Sequence, residues 1–179
     1  MAYIICEDLA VGYEKKPVVE GINFKVEKGD YLFMHSSGIK IKGLRLQGNY
    51  SFQYCKDVEI HDSVLNTKDA FWETENVTVY NSVIDGEYLG WYSRNLRLVD
   101  CRIGGTQPLC YADGLELVNC TFEPDADLAF EYSEVYADIN GAVTSVKNPR
   151  TGRIVAGSYG EIILDANIKA PADCEIKTR

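Results

Sequence analysis

The chain has 179 residues, 46% hydrophobic and 11% aromatic, with 18 Lys and Arg against 27 Asp and Glu for a formal charge of −9. That length suits one domain, able to bury roughly 70% of its unfolded surface without disulfide staples. The acidic balance disfavours nucleic acid and anionic membrane as partners, the apolar content excludes disorder, and no run approaches the ~20 apolar residues of a membrane span.

No signal peptide is visible at the start. The six cysteines form no CxxC pair, so reduced thiols in a cytoplasmic protein are expected. His35 and His61 are too few and too isolated for a zinc site, and neither a metal nor another cofactor is expected.

Residues 1–32 read as a short N-terminal β-hairpin, Tyr3-Ile4-Ile5-Cys6-Glu7-Asp8-Leu9-Ala10-Val11-Gly12-Tyr13 followed by Pro17 to Leu32. This stretch resembles the start of an ABC-transporter ATP-binding subunit, in which the aromatic after L-x-x-G, here Tyr13, would stack on adenine. The resemblance stops after Leu32. Phe33-Met34-His35-Ser36-Ser37-Gly38-Ile39-Lys40 follows, with no G-x-x-x-x-G-K-[ST] loop to cradle phosphates. The segment is therefore expected to be a cap or a product of fusion.

A repeat then takes over. Gly38-Ile39-Lys40-Ile41, Asp57-Val58-Glu59-Ile60, Asn76-Val77-Thr78-Val79, Asn95-Leu96-Arg97-Leu98 and Gly114-Leu115-Glu116-Leu117 are equivalent strings. Their second positions fall at 39, 58, 77, 96 and 115, a constant step of 19. Apolar and polar residues alternate within each unit, as in a strand buried on one face. Gly43, Asp62, Asn81, Asp100 and Asn119 follow two positions later. Gly, Asp and Asn tolerate positive φ, so a corner is expected there. A second inward column reads Leu46, Leu65, Ile84, Ile103 and Phe122. Such a unit cannot bury its own apolar face, but coils stacked ~4.8 Å apart can. The fold class is all-β: a parallel β-helix over residues 33–179, with about five to six coils of that step. The period alone does not fix its hand; a right-handed one is expected from the usual chirality of parallel crossovers together with the family resemblance described below.

From Gly29 onward the chain resembles a bacterial right-handed β-helix family catalogued as domain of unknown function family 3737. The resemblance rests on Gly29-Asp30-Tyr31-Leu32-Phe33-Met34-His35-Ser36-Ser37, Gly48-Asn49-Tyr50-Ser51-Phe52, Lys68-Asp69-Ala70-Phe71-Trp72, Glu75-Asn76-Val77-Thr78-Val79-Tyr80, Gly86-Glu87-Tyr88-Leu89-Gly90-Trp91 and Ser145-Val146-Lys147-Asn148-Pro149. It implies the fold and supplies no activity.

Function has to be read from the least regular column. In stacked register Lys68 and Asp69 neighbour Glu87 and Tyr88, and Trp72 stacks on Trp91, with Tyr111 beyond. Mixed polar groups beside aromatic rings suit carbohydrate, so Lys68, Asp69, Trp72, Glu87, Tyr88, Trp91 and Tyr111 are the candidate ligand site. The competing expectation is a structural ladder in which Lys68 pairs with Glu87 and the indoles are buried, each cross-strand pair contributing roughly 0.2–1 kcal/mol. Asp69 and Glu87 are the only carboxylate pair offered for catalysis, as a retaining glycosidase would use. The dense acidic and basic cluster of pectinase-type β-helix enzymes is missing, so no catalytic residue is assigned. Residues from about 134 leave the repeating frame and read as a C-terminal cap, and an uncovered coil end would invite self-association. Calorimetric titration of Mg-ATP is expected to show no micromolar affinity; a micromolar constant would restore nucleotide binding to the transporter-like segment.

Overall fold

The computed structural model describes residues 4–13, 16–26, 29–166 and 173–179. Residues 1–3, 14–15 and 27–28 of the transporter-like segment lie outside the described residues, as does the side chain of Tyr13.

Every described element is a strand. A hairpin of β1 (Ile4–Tyr13) and β2 (Lys16–Val26) comes first. Strands then arrive in pairs, one pair to a coil: β3 (Ile39–Lys42) and β4 (Arg45–Asn49), β5 (Lys56–His61) and β6 (Val64–Lys68), β7 (Glu75–Tyr80) and β8 (Val83–Asp85), β9 (Arg94–Val99) and β10 (Arg102–Gly104). The longer β11 (Leu115–Phe122) runs through its corner, pairing with β9 at one end and β10 at the other. Then follow β12 (Glu134–Ile139), β13 (Ala142–Lys147), β14 (Thr151–Ala156), β15 (Ser158–Ile163) and β16 (Asp173–Thr178).

Parallel pairing from coil to coil builds the solenoid. Val58 sits opposite Val77 and Val77 opposite Leu96, and Leu65 lies opposite Ile84, each pair one step of the repeat apart. The alternation seen in the sequence becomes alternating burial. Ile39, Ile41, Val58, Ile60, Val77, Val79, Leu96, Leu98, Leu115 and Leu117 are all buried, as are Leu46, Leu65, Ile84 and Ile103. Phe122 is only half-buried, with its ring tilted against Phe130 at 5.6 Å. Removing each such chain from water stabilises the stack by about 1.5–3 kcal/mol.

The corner column takes the backbone its residue types anticipate. Gly43, Asp62, Asn81, Asp100 and Asn119 all have positive φ. Their side chains also link the coils, Asn81 Nδ2 donating to Asp62 Oδ1 at 2.7 Å and Asn119 Nδ2 to Asp100 Oδ1 at 2.5 Å. Just inside that corner Ser63, Ser82, Cys101 and Cys120 are buried in one column. The cysteines described, Cys55, Cys101, Cys110, Cys120 and Cys174, are free thiols.

The solenoid makes about seven turns rather than five to six. Past residue 134 the same sheet continues through β12, β14 and β16. There Leu115 faces Val135, Val135 faces Gly152 and Gly152 faces Cys174, so successive steps are unequal. Unequal steps hide the repeat while the pairing stays parallel. At the other end β1 runs antiparallel to both β3 and β4 and covers the open edges of the first coil.

Close coil spacing makes one prediction. Gly105 has φ +90, and a Cβ there would lie 2.3 Å from the carbonyl oxygen of Gly86. Gly141 has φ +85 and nothing within 4 Å of such a Cβ. Gly141→Ala is expected to cost about 1–2 kcal/mol, the strain of a left-handed backbone alone. Gly105→Ala should cost at least ~2 kcal/mol more, because two coil backbones must separate. Urea unfolding of both variants checks this; equal losses would show that close approach is not what requires Gly105.

Candidate functional site

Among the described residues, the third side of the central coils carries no regular strand, whereas β13 and β15 run onto it in the last coils. In the central coils it is a run of turns, and its backbone still bonds to the next coil. Tyr50 N donates to Lys68 O at 2.9 Å, Asp69 N to Glu87 O at 2.8 Å and Tyr88 N to Thr106 O at 3.2 Å. Four positions on, Tyr54 N donates to Trp72 O at 3.0 Å and Glu73 N to Trp91 O at 2.9 Å. Tyr50, Asp69, Tyr88 and Gln107 form one column with positive φ, and Tyr54, Glu73, Tyr92 and Tyr111 form a second. Left-handed backbone at so many non-glycine positions costs of order 1–3 kcal/mol each and persists because the stack over-determines it.

Of the seven residues singled out in the sequence, Lys68 closes β6 where it meets this side and the other six lie on it. Lys68 Nζ pairs with Glu87 Oε2 at 3.2 Å and sits 5.4 Å from the centre of the Tyr88 ring. The hydrogen bond from Lys68 to Glu87 holds the ammonium above its ordinary pKa. Trp72 and Trp91 stack with centroids 5.9 Å apart and planes 26° apart. Tyr50 leans on Trp72 at 6.2 Å, Tyr88 stacks on Trp91 at 5.2 Å, and Tyr111 leans on Trp91 at 6.1 Å and on Tyr92 at 5.1 Å. Burial and then the charge of Glu131 push the Tyr111 phenol up, so it stays protonated at neutral pH. The ion pair is the one a purely structural ladder would also contain. The rings turn their faces mainly to one another along the axis.

Three polar atoms break this self-sufficiency. Asp69 Oδ1, Trp72 Nε1 and Trp91 Nε1 are buried without a hydrogen-bond partner. Asp69 is only 3% exposed. Burial raises its pKa to about 6, the Lys68 charge opposes that rise and the Glu87 charge adds to it.

Sequence reasoning missed a second feature, a cavity of about 340 Å³ lined by Val83, Asp85, Arg102, Gly104, Glu123, Pro124 and Asp125. It lies where Gly104 faces Asp85 across the β8–β10 pair and has no side chain of its own. A Cβ at Gly104 would meet Asp85 Oδ1 at 2.9 Å and Asp125 Oδ1 at 3.4 Å. Arg102 already pairs with Glu123 at 3.1 Å. The Gly104-Gly105 doublet closing a strand was the available signal. Among the described residues no three His, Cys, Asp or Glu side chains gather to hold a metal ion, and no helix is long and apolar enough to cross a membrane.

Stacked parallel coils with a core of repeated aliphatic columns define a β-solenoid. The chain belongs to the family described as Protein of unknown function (DUF3737), whose model matches residues 15–177. The match begins at residue 15, ahead of the Gly29 expected from the sequence, so residues 15–28 belong with the solenoid family and the expected transporter resemblance finds no support. No curated protein and no solved structure matches the chain.

Buried Asp69 makes stability depend on pH. Its folded pKa lies above the ordinary 3.8, so the native state binds the proton more tightly than the unfolded chain. The cost of burying the charge is therefore relieved as pH falls through about 6 and present in full above it. Asp69→Asn is expected to stabilise the protein by about 1–2 kcal/mol at pH 8 and to change little at pH 4. Urea unfolding at the two pH values measures this; an equal effect at both would mean that the carboxylate is not buried as a charge.

Proposed function

We propose that this protein is a binding solenoid whose turn side takes carbohydrate. The observation that carries the reading is the set of orphaned polar atoms, one acceptor on Asp69 and two donors on Trp72 and Trp91, gathered on a single side. A buried group without a partner costs about 1–3 kcal/mol, which a ligand recovers by pairing with it. Sugar hydroxyls both donate and accept, and so match all three. Entry requires the outer rings to part. Lys68, Glu87, Tyr88 and Tyr111 surround the set and supply charge and phenol for further hydroxyls. The formal charge of −9 repels polyanions at long range and favours neutral or cationic glycans.

One observation favours an enzyme as the second reading. Asp69, with its pKa raised to about 6, stands beside Glu87, and a carboxyl whose titration is moved towards neutral pH near a second carboxylate is the pattern of a glycosidase acid and nucleophile. Against it, Glu87 is engaged by Lys68. The opening hairpin is read as a cap on the first coil; the family match that runs through residues 15–28 speaks against a fusion junction at residues 29–32. A cytoplasmic location is part of this reading, and self-association is assigned to the far end of the solenoid, since β1 covers the first coil.

A glycan array probed with wild type and Trp91→Ala separates these readings. Binding by wild type, lost in a folded Trp91→Ala, is the expected result. Turnover of a bound glycan that disappears in Asp69→Asn or Glu87→Gln would move the protein to the enzymes. No binding, or binding indifferent to Trp91→Ala, would leave a structural solenoid.

A further inference from the structure

The coil spanning residues 69–73 differs from its neighbours in one respect. Both outer columns carry tyrosine in the coil before, at Tyr50 and Tyr54, and in the coil after, at Tyr88 and Tyr92, whereas this coil has Asp69 and Glu73. In the first column Trp72 leans onto Tyr50 and Lys68 lies over Tyr88. In the second column no ring bridges the break among the described residues. Tyr54 stacks on His35 of the coil before it at 4.8 Å, and no described ring from the following coil meets its other face. The ring partners of Tyr92 are Trp91 of its own coil and Tyr111 of the next, and Tyr92 is 48% exposed. Between these tyrosines the exposed Glu73 carboxylate has no ion pair or hydrogen bond among the described residues.

We infer that Tyr54, Glu73 and Tyr92 form a slot for an ammonium group, carried by an amino sugar. Tyr54 and Tyr92 are two coils apart, roughly 10 Å at the interstrand spacing. A cation midway lies ~5 Å from each ring, inside the ~6 Å reach of a cation–π contact. Glu73, on the intervening coil, supplies the counter-charge. The same turn holds the orphaned Asp69 carboxylate, only 3% exposed, so the surroundings are more negative than the Lys68–Glu87 pair alone would make them. An amino sugar also brings hydroxyl acceptors, which the two buried indole N–H groups lack and a bare ammonium cannot offer. The slot rests on the carbohydrate reading for the sugar, and on the break in the tyrosine column for the charge.

Calorimetric titration at pH 6 and low salt tests it with four probes: a glucosamine oligomer, its N-acetylated counterpart, a cello-oligomer and choline. Wild type should bind the glucosamine oligomer about tenfold or more tightly than either uncharged oligomer, the worth of one cation–π and counter-ion contact. Glu73→Gln should remove most of that preference with the unfolding midpoint unchanged, and Tyr92→Leu should remove it with a lowered midpoint, the loss of its contacts with Trp91 and Tyr111. Choline binding that depends on Glu73, with no oligomer bound, would support the ammonium slot and reject carbohydrate. Equal binding of all three oligomers with no effect of Glu73→Gln would overturn the slot and leave the carbohydrate reading standing. Failure of all four probes to bind would overturn both.

Discussion

Every feature of this molecule depends on the backbone of one coil hydrogen-bonding to the backbone of the next. On two sides these bonds form parallel strands, and on the third side of the central coils they join turn to turn. Because bonding is between equivalent positions, a residue type chosen once is chosen for a whole column. Aliphatic columns fill the core, an Asn and Asp column makes a corner, and aromatic columns line the turn side. Cation and carboxylate meet the same way, with Lys40 on Glu59 at 3.0 Å, Lys56 on Glu75 at 2.8 Å and Arg97 on Glu116 at 2.7 Å. These exposed pairs contribute little individually, but they suit the spacing and keep like charges apart.

The central coils were legible in the sequence because two periods coincide there. The constant step from coil to coil brings Val58, Val77 and Leu96 together, and alternation within each strand says which face is inward. The register that places Lys68 beside Glu87 and Trp72 on Trp91 followed from the same count. Ring orientation did not follow. It depends on left-handed backbone at Asp69, Glu73, Tyr88 and Tyr92, and residue spacing carries no information about φ. One signal was available and unread: Gly38, Asp57, Asn76, Asn95 and Gly114 share the chemistry of the corner column and also adopt positive φ. Beyond residue 134 the changed steps removed the period, although alternation in β12 still marks Val135, Ala137 and Ile139 as inward.

The turn side shows what repetition gives up when a column changes. A continuous aromatic ladder would satisfy itself, each ring covering the next. Asp69 and Glu73 interrupt it in one coil, and the unpartnered polar atoms collect around that interruption. Gly104 interrupts the second side in another way, leaving space where its neighbours have side chains. In a solenoid a site is most readily made by a departure from the repeat, where the side chains of neighbouring coils no longer match.

The hairpin at the first coil bears on how far such an object can grow. A stack of parallel strands is a template, and its last coil presents the arrangement that another coil would extend. The antiparallel strand across β3 and β4 has the opposite polarity. It plays the part of a chain terminator in polymer chemistry, occupying the reactive end with a group that does not propagate the pattern.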